Sequence, residues 1–255
     1  MPKNSNSFLD KALRHHSAKV WSRIAGKAAS LDPNAQRELR TDARAMLGQL
    51  NTLLSSLDER HRIRGLAKLP EPHNADLSWR PEVWRGTLTT RGLSSVSPNT
   101  QFGRDLTVFH DCPLSEITLR QVNSSRPEDT APYGLRMDVF RFGGSFLSLA
   151  LSLPPDAVEN LSKSHLFRMA VTIDLERPLE IFARLNVRHG PNTEQIVQEL
   201  AMTGGELSAE FDLAYSKLNE SRVENAWIDL IFEGPEMNQI TVRDLAVWRS
   251  PRAEV

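Results

Sequence analysis

From about Leu106 to Trp248, apolar and polar residues alternate in one segment after another. Phe167, Met169, Val171, Ile173 and Leu175 alternate with Arg168, Ala170, Thr172 and Asp174. Leu179, Ile181, Ala183, Leu185 and Val187 alternate with Glu180, Phe182, Arg184, Asn186 and Arg188. Leu207–Tyr215 and Trp227–Glu233 repeat the pattern, and Asn238–Arg249 closes the run. A period of two is what a strand needs when one face of its sheet is buried. Gly143-Gly144, between Leu135–Phe142 and Ser145–Leu153, predicts a hairpin, and Pro154-Pro155-Asp156 opens one short helix through Leu161. Parallel strands need crossover helices, so strands with little helix between them predict antiparallel sheets. The fold class expected for residues 106–255 is mainly β, an antiparallel, jelly-roll-like β-sandwich.

The pattern ahead of the strands has a different period. Phe8, Ala12, Val20, Trp21, Ile24 and Ala28 follow a three-to-four spacing and predict a helix over Ser7–Ala28. Asp32-Pro33 marks a second start, with Asp32 as N-cap and Pro33 in the first turn. Leu39, Ala43, Met46, Leu47, Leu50, Leu53, Leu54 and Leu57 then make an apolar stripe that ends at Asp58-Glu59-Arg60-His61-Arg62. Residues 1–68 are therefore expected to form an N-terminal helical pair or hairpin. Residues 69–105, with Pro70, Pro72, Pro81 and Pro98 among Gly, Ser and Asn, read as an irregular linker or wrap. Trp79 and Trp84 within it either anchor the wrap on the β domain or form a stacking platform.

Charge sharpens this division. Residues 1–68 carry 13 Lys and Arg against 6 Asp and Glu, whereas the remainder carries 18 against 26. A basic arm of this kind docks on nucleic acid, on an anionic membrane, on an acidic partner or on its own body, or simply solvates helix faces. The single cysteine, Cys112, excludes an intramolecular disulfide. No segment has the apolar length of a membrane helix, and Met1–Ser7 lacks a signal-peptide core, so a cytoplasmic location is expected.

Three stretches, Phe109–Glu116, Arg188–Gln195 and Phe232–Asn238, resemble an uncharacterised bacterial domain-of-unknown-function family of about this length. That resemblance implies no activity. Ile240-Thr241-Val242-Arg243-Asp244-Leu245-Ala246-Val247 is similar to the last strand of galactose-binding-like jelly rolls and carbohydrate-binding modules. The resemblance implies a centrally packed closing strand that carries an acidic residue.

If Leu179–Val187 face the core, Glu180, Arg184, Asn186 and Arg188 face outward. Asp212 and Asp229 are candidates to join them from other strands, with Tyr215 beside them if a bulge re-aims it. Carboxylates and amides bind hydroxyl pairs and an aromatic ring covers a sugar's apolar face, so such a surface suits a glycan. The same residues also describe a solvated face whose charges pair across strands. His189, Asn192 and Glu194 flank Gly190-Pro191 in a polar loop that either reaches a ligand or only turns the chain. His110 and Cys112 share a face, but nothing beside them marks an oxyanion hole, and a lone cysteine also serves as a small core residue. No phosphate loop, dinucleotide glycine pattern or metal-ligand spacing is present, so no cofactor, metal or catalytic residue is assigned. The leading expectation is a non-enzymatic module that binds a glycan or a protein surface. A structural protein docking its basic helices on an acidic partner, and a glycan-acting enzyme with paired carboxylates, are the alternatives.

Overall fold

The alternating segments become two packed sheets in the computed structural model, which describes residues 8–46, 49–50, 74–124, 126, 128–203 and 206–252. The chain divides into two units, Met1–Leu57 and Asp58–Val255. The first holds helices α1 (Phe8–Lys27) and α2 (residues 33–46), linked by a 3-10 turn at Ala28–Ser30. The second helix starts where the Asp-Pro pair predicts. The Asp32 carboxylate accepts the Asn34 and Ala35 N–H groups at 3.0 and 3.1 Å, and Pro33 has no N–H to leave unpaired. The stretch from Asn51 to Leu57 and the charged cluster Asp58–Arg62 lie outside the described residues.

The second unit is a β-sandwich. Its strands in chain order are β1 (Leu77–Trp79), β2 (Gly92–Leu93), β3 (Thr100–Gln101), β4 (Leu106–His110), β5 (Ile117–Asn123), β6 (Tyr133–Val139) and β7 (Leu147–Ser152). They continue with β8 (His165–Leu175), β9 (Ile181–His189), β10 (Asn192–Glu199), β11 (Ala201–Thr203), β12 (Glu206–Asp212), β13 (Val223–Phe232) and β14 (Asn238–Pro251). Among the described residues, one sheet has eight strands in the order β11-β12-β8-β14-β6-β5-β2, with β1 added along β14. The other has six, in the order β10-β9-β13-β7-β4-β3. Neighbouring strands in both sheets are antiparallel.

Alternation decides what is buried. Ala183, Leu185 and Val187 of β9, Ile228 and Leu230 of β13 and Leu149 and Leu151 of β7 meet Phe167, Met169, Leu135, Met137, Val242 and Leu245 of the larger sheet in one core. β14 runs through the middle of that sheet, between β6 and β8, and carries Asp244 just past a register shift at Arg243. That is the position expected for the closing strand.

Two local expectations change. Gly143-Gly144 does not close a hairpin, because β6 and β7 belong to different sheets. The turn instead carries the chain across the sandwich, held by Asp111, which accepts the Ser145 N–H at 2.7 Å, the Phe146 N–H at 3.2 Å and the Ser145 hydroxyl at 2.6 Å. A Cβ at Gly144 would run into the Asp111 carboxylate and the Cys112 nitrogen, so glycine is required here by close approach. The span 69–105, expected to be irregular, supplies β1 and β2 to one sheet, β3 to the other and a short helix α3 (Glu82–Arg85). Trp79 and Trp84 are both buried, which makes them anchors and not an exposed platform.

The outer face of the larger sheet carries a charged ladder with a readable pH response. Partial burial is the largest influence on Asp138 and works against ionisation. Hydrogen bonds from Arg120 (2.8 Å), Arg136 (3.1 Å) and Thr118 (3.0 Å) together outweigh it, so its pKa lies below the ordinary carboxylate value. Asp111 is lowered chiefly by the Ser145 hydroxyl, and Glu116 chiefly by the hydrogen bond from Arg141. A folded-state pKa below the unfolded one gives stability that is complete above the unfolded value, about 4, and lost as pH falls through the folded value. Urea midpoints should therefore hold steady from pH 7 to about 5 and drop below it. Asp138→Asn should lower the midpoint at pH 7 and flatten the acid limb; an unchanged acid limb would contradict the assignment.

Candidate functional site

The outer face of the six-stranded sheet begins from the same period of two. With Ala183, Leu185 and Val187 inward, β9 turns Phe182, Arg184, Asn186 and Arg188 outward. The register with β13 sets Arg184 opposite Asp229, Asn186 opposite Trp227 and Phe182 opposite Ile231. β13 in turn sets Asp229 against Ala150 and Ile231 against Ser148, and β4 adds Phe109 beside Ser148.

Polar side chains on this face are wired together. Arg184 donates to Asp229 Oδ2 from Nε at 3.0 Å and from Nη2 at 2.8 Å. Asn186 Nδ2 donates to the same oxygen at 2.9 Å, and Gln195 Nε2 of β10 donates to Asn186 Oδ1 at 2.9 Å. Asp229 is 4% exposed and Asn186 fully buried, so the carboxylate is fixed while the Arg184 side chain keeps 36% of its surface open. Among the described residues no donor reaches Asp229 Oδ1, which leaves an acceptor beside a fixed guanidinium.

Beside this cluster lies a groove of about 510 Å³ lined by Phe109, Phe146, Ser148, Arg184, Trp227, Asp229 and Ile231. Ser148 is a small buried residue between larger ones, while Phe109 and Phe146 keep 36% and 44% of their surface exposed. Phe146 is held by the Asp111 turn at the end of β4. The groove thus combines apolar rings with one charged hydrogen-bonding pair, the mixture found in small-molecule sites. Among the described residues, no three His, Cys, Asp or Glu side chains converge as metal ligands.

Of the residues singled out in the sequence, the structure brings Arg184, Asn186 and Asp229 together. Arg188 shares their face farther along β9, where it pairs with Glu224 at 3.2 Å. His189 falls in the inward register, is buried and accepts the Asn219 N–H at 3.4 Å. Asn192 opposite it is exposed, and Glu194 accepts the Lys217 N–H at 3.0 Å. Gly190-Pro191 forms the two-residue turn between β9 and β10, with Gly190 at φ 60°. Asp212 belongs to the other sheet. There it accepts the Ala214 N–H at 2.9 Å and pairs with Arg252 at 3.2 Å. Tyr215 follows it, 85% exposed, with the Arg252 guanidinium 5.6 Å from its ring. His110 and Cys112 are buried: His110 Nδ1 accepts the Cys112 N–H at 3.2 Å and its Nε2 lies 2.9 Å from the Val96 carbonyl.

The aromatic part of the groove escaped the sequence reading. Its signal was present in the outward parity of Trp227 and Phe146, opposite Ile228 and Leu147 in their own strands.

No functionally curated protein matches the chain in sequence. The profile of a family of unknown function, DUF6478, matches residues 1–255. The chain belongs to DUF6478. Solved structures similar to this DUF6478 member include a family 11 carbohydrate-binding module from Clostridium thermocellum, in complex with a β-1,3-1,4-mixed-linked tetrasaccharide. That match has 11% identity and a TM-score of 0.38, and covers 64% of this chain and 97% of that one. Another is the CBM22-1 xylan-binding domain of Paenibacillus barcinonensis Xyn10C, at 9% identity and TM-score 0.35, covering 64% and 94%. A third is the enzymatically active domain of bacteriophage CBA120 tailspike protein 4, at 10% identity and TM-score 0.39. It is covered over 62% of this chain but only 21% of its own length. No residue role is carried from these distant structures to the DUF6478 chain.

Proposed function

We propose that the sandwich is a non-enzymatic module that binds a glycan in the groove on its six-stranded sheet. The observation that carries this reading is the groove's composition: Trp227, Phe109 and Phe146 beside a guanidinium and a carboxylate locked to each other. A pyranose offers an apolar face to a ring and paired hydroxyls along its edge. One hydroxyl would donate to Asp229 Oδ1 while its neighbour accepts from the open edge of Arg184. Asp229 neutralises Arg184, which favours an uncharged sugar over an anionic one. The carboxylates support binding over hydrolysis in this reading: Asp229 is the only one among the described residues lining the groove, and glycoside hydrolysis ordinarily uses two.

The test is a glycan array with the full chain, followed by calorimetry on the glycans it retains. Trp227→Ala and Arg184→Ala should each weaken binding about tenfold or more, from lost stacking and lost charge-assisted hydrogen bonds. Absence of binding to every glycan, or binding indifferent to both changes, would sink the reading. Release of new reducing ends from a bound glycan would convert it into the enzyme alternative.

A further inference from the structure

The helical unit has a second groove, and its surroundings specify an occupant. Among its residues with described side chains, none is buried; Val20, Trp21, Ile24, Ala28, Leu39 and Met46 all remain partly exposed. The crease between α1 and α2 holds an apolar groove of about 700 Å³ lined by Trp21, Ile24, Ala28, Pro33, Leu39 and Ala43, with Arg37 and Arg40 also on its walls. A pair of short helices that buries so little of its apolar seam gains little stability from its own contacts.

The charge around this seam is positive and, among the described residues, unpaired. Lys19, Arg23, Lys27, Arg37, Arg40 and Arg44 are exposed, and among the described residues none of them pairs with a carboxylate. In the sandwich, by contrast, Arg80, Arg184, Arg243 and Arg249 are each held by an aspartate. Met1–Leu57 carries 9 Lys and Arg against 4 Asp and Glu. A second copy of the unit would bring two such positive surfaces together. Nucleic acid would meet the cations but leave the apolar seam wet. A flat bilayer cannot follow a concave crease between two helices. A third helix can, because its side chains fill the groove between the other two.

We propose that this groove is the docking site for an acidic amphipathic helix of a partner protein, its apolar stripe seated on Trp21, Ile24 and Leu39 and its flanking carboxylates on Arg37 and Arg40. The probe is a synthetic helix of about 15 residues with Leu at i, i+3, i+4 and i+7 and Glu on both flanks. It is compared with the same peptide carrying Lys in place of Glu, and with a scrambled acidic peptide. Fluorescence anisotropy with the full chain should show binding of the acidic amphipathic peptide alone, weakened by salt. Ile24→Asp and the surface pair Arg37→Glu/Arg40→Glu should each weaken it about tenfold or more, the second without altering the far-UV circular dichroism. Equal binding of the lysine or scrambled peptide, or binding of none, overturns the proposal. So does a concentration-dependent dimer lost in Ile24→Asp, or uptake on anionic vesicles or duplex DNA that competes with the peptide.

Discussion

Replacing Trp84 by alanine should cost the sandwich about 3–5 kcal/mol, the range for deleting a large buried aromatic. Trp84 is fully buried and its indole N–H donates to the Val242 carbonyl at 2.8 Å, tying α3 to β14. The short helix is also held at its start, where Asp105 Oδ2 accepts the Glu82 N–H at 2.9 Å, and by the buried Val83. Buried Gln121 accepts the Leu88 N–H at 2.9 Å and donates to the Val83 and Gly86 carbonyls at 2.7 and 2.6 Å, so one amide and one indole both fasten the 83–88 turn to the sheet. Trp84→Phe keeps most of the apolar volume while losing the donor to Val242 and part of the ring, and it should cost clearly less. Urea unfolding followed by circular dichroism measures both; equal midpoints for the two variants would show that packing around the indole contributes little.

The second large effect is expected at Arg249. Its Nε and Nη2 hold both oxygens of Asp76 at 2.9 and 3.0 Å. Its Nη1 meets the carbonyls of Asp156, Ala157 and Glu159 at 3.3, 3.0 and 2.8 Å. One guanidinium thus joins the entry to β1, the end of the 3-10 turn Pro155–Ala157 and β14. Arg249→Met retains an apolar stem but strands the buried Ala157 carbonyl, while Asp76, one-third exposed, keeps water and His165 beside it, a loss of about 1–3 kcal/mol. Arg249→Lys recovers little of it, since a single ammonium cannot serve a bidentate carboxylate and three carbonyls together. A lysine variant as stable as the parent chain would refute this account.

What was legible in the sequence follows from range. Alternation is local, so Leu179–Val187 correctly placed Arg184 and Asn186 on one outer face. The pairing of β9 with β13 brought Asp229 to them, but that pairing spans about forty residues and leaves no mark in either segment. Asp212 sits in a segment of similar pattern, yet β12 pairs with β8 in the other sheet. His189 illustrates a different failure. Counting by twos from Ile181 places it inward, whereas its polarity and the adjoining Gly-Pro turn read as a loop. Trp79 and Trp84 drew attention as a close pair in a Pro-rich stretch. Trp227, one of the three rings lining the groove, lay unremarked on the solvent side of a regular strand.

The central place of β14 also sets the order in which the molecule can be made. Its partners β6 and β8, and β1 beyond them, precede it by tens to well over a hundred residues, so the larger sheet cannot grow hairpin by hairpin. Until Asn238–Pro251 arrives, β6 and β8 present open edges flanking an apolar gap, the kind of surface that recruits other unfinished chains. Folding gated by such distant contacts is slow, on the scale of milliseconds to seconds. The interval before closure is therefore the chain's most vulnerable period for aggregation.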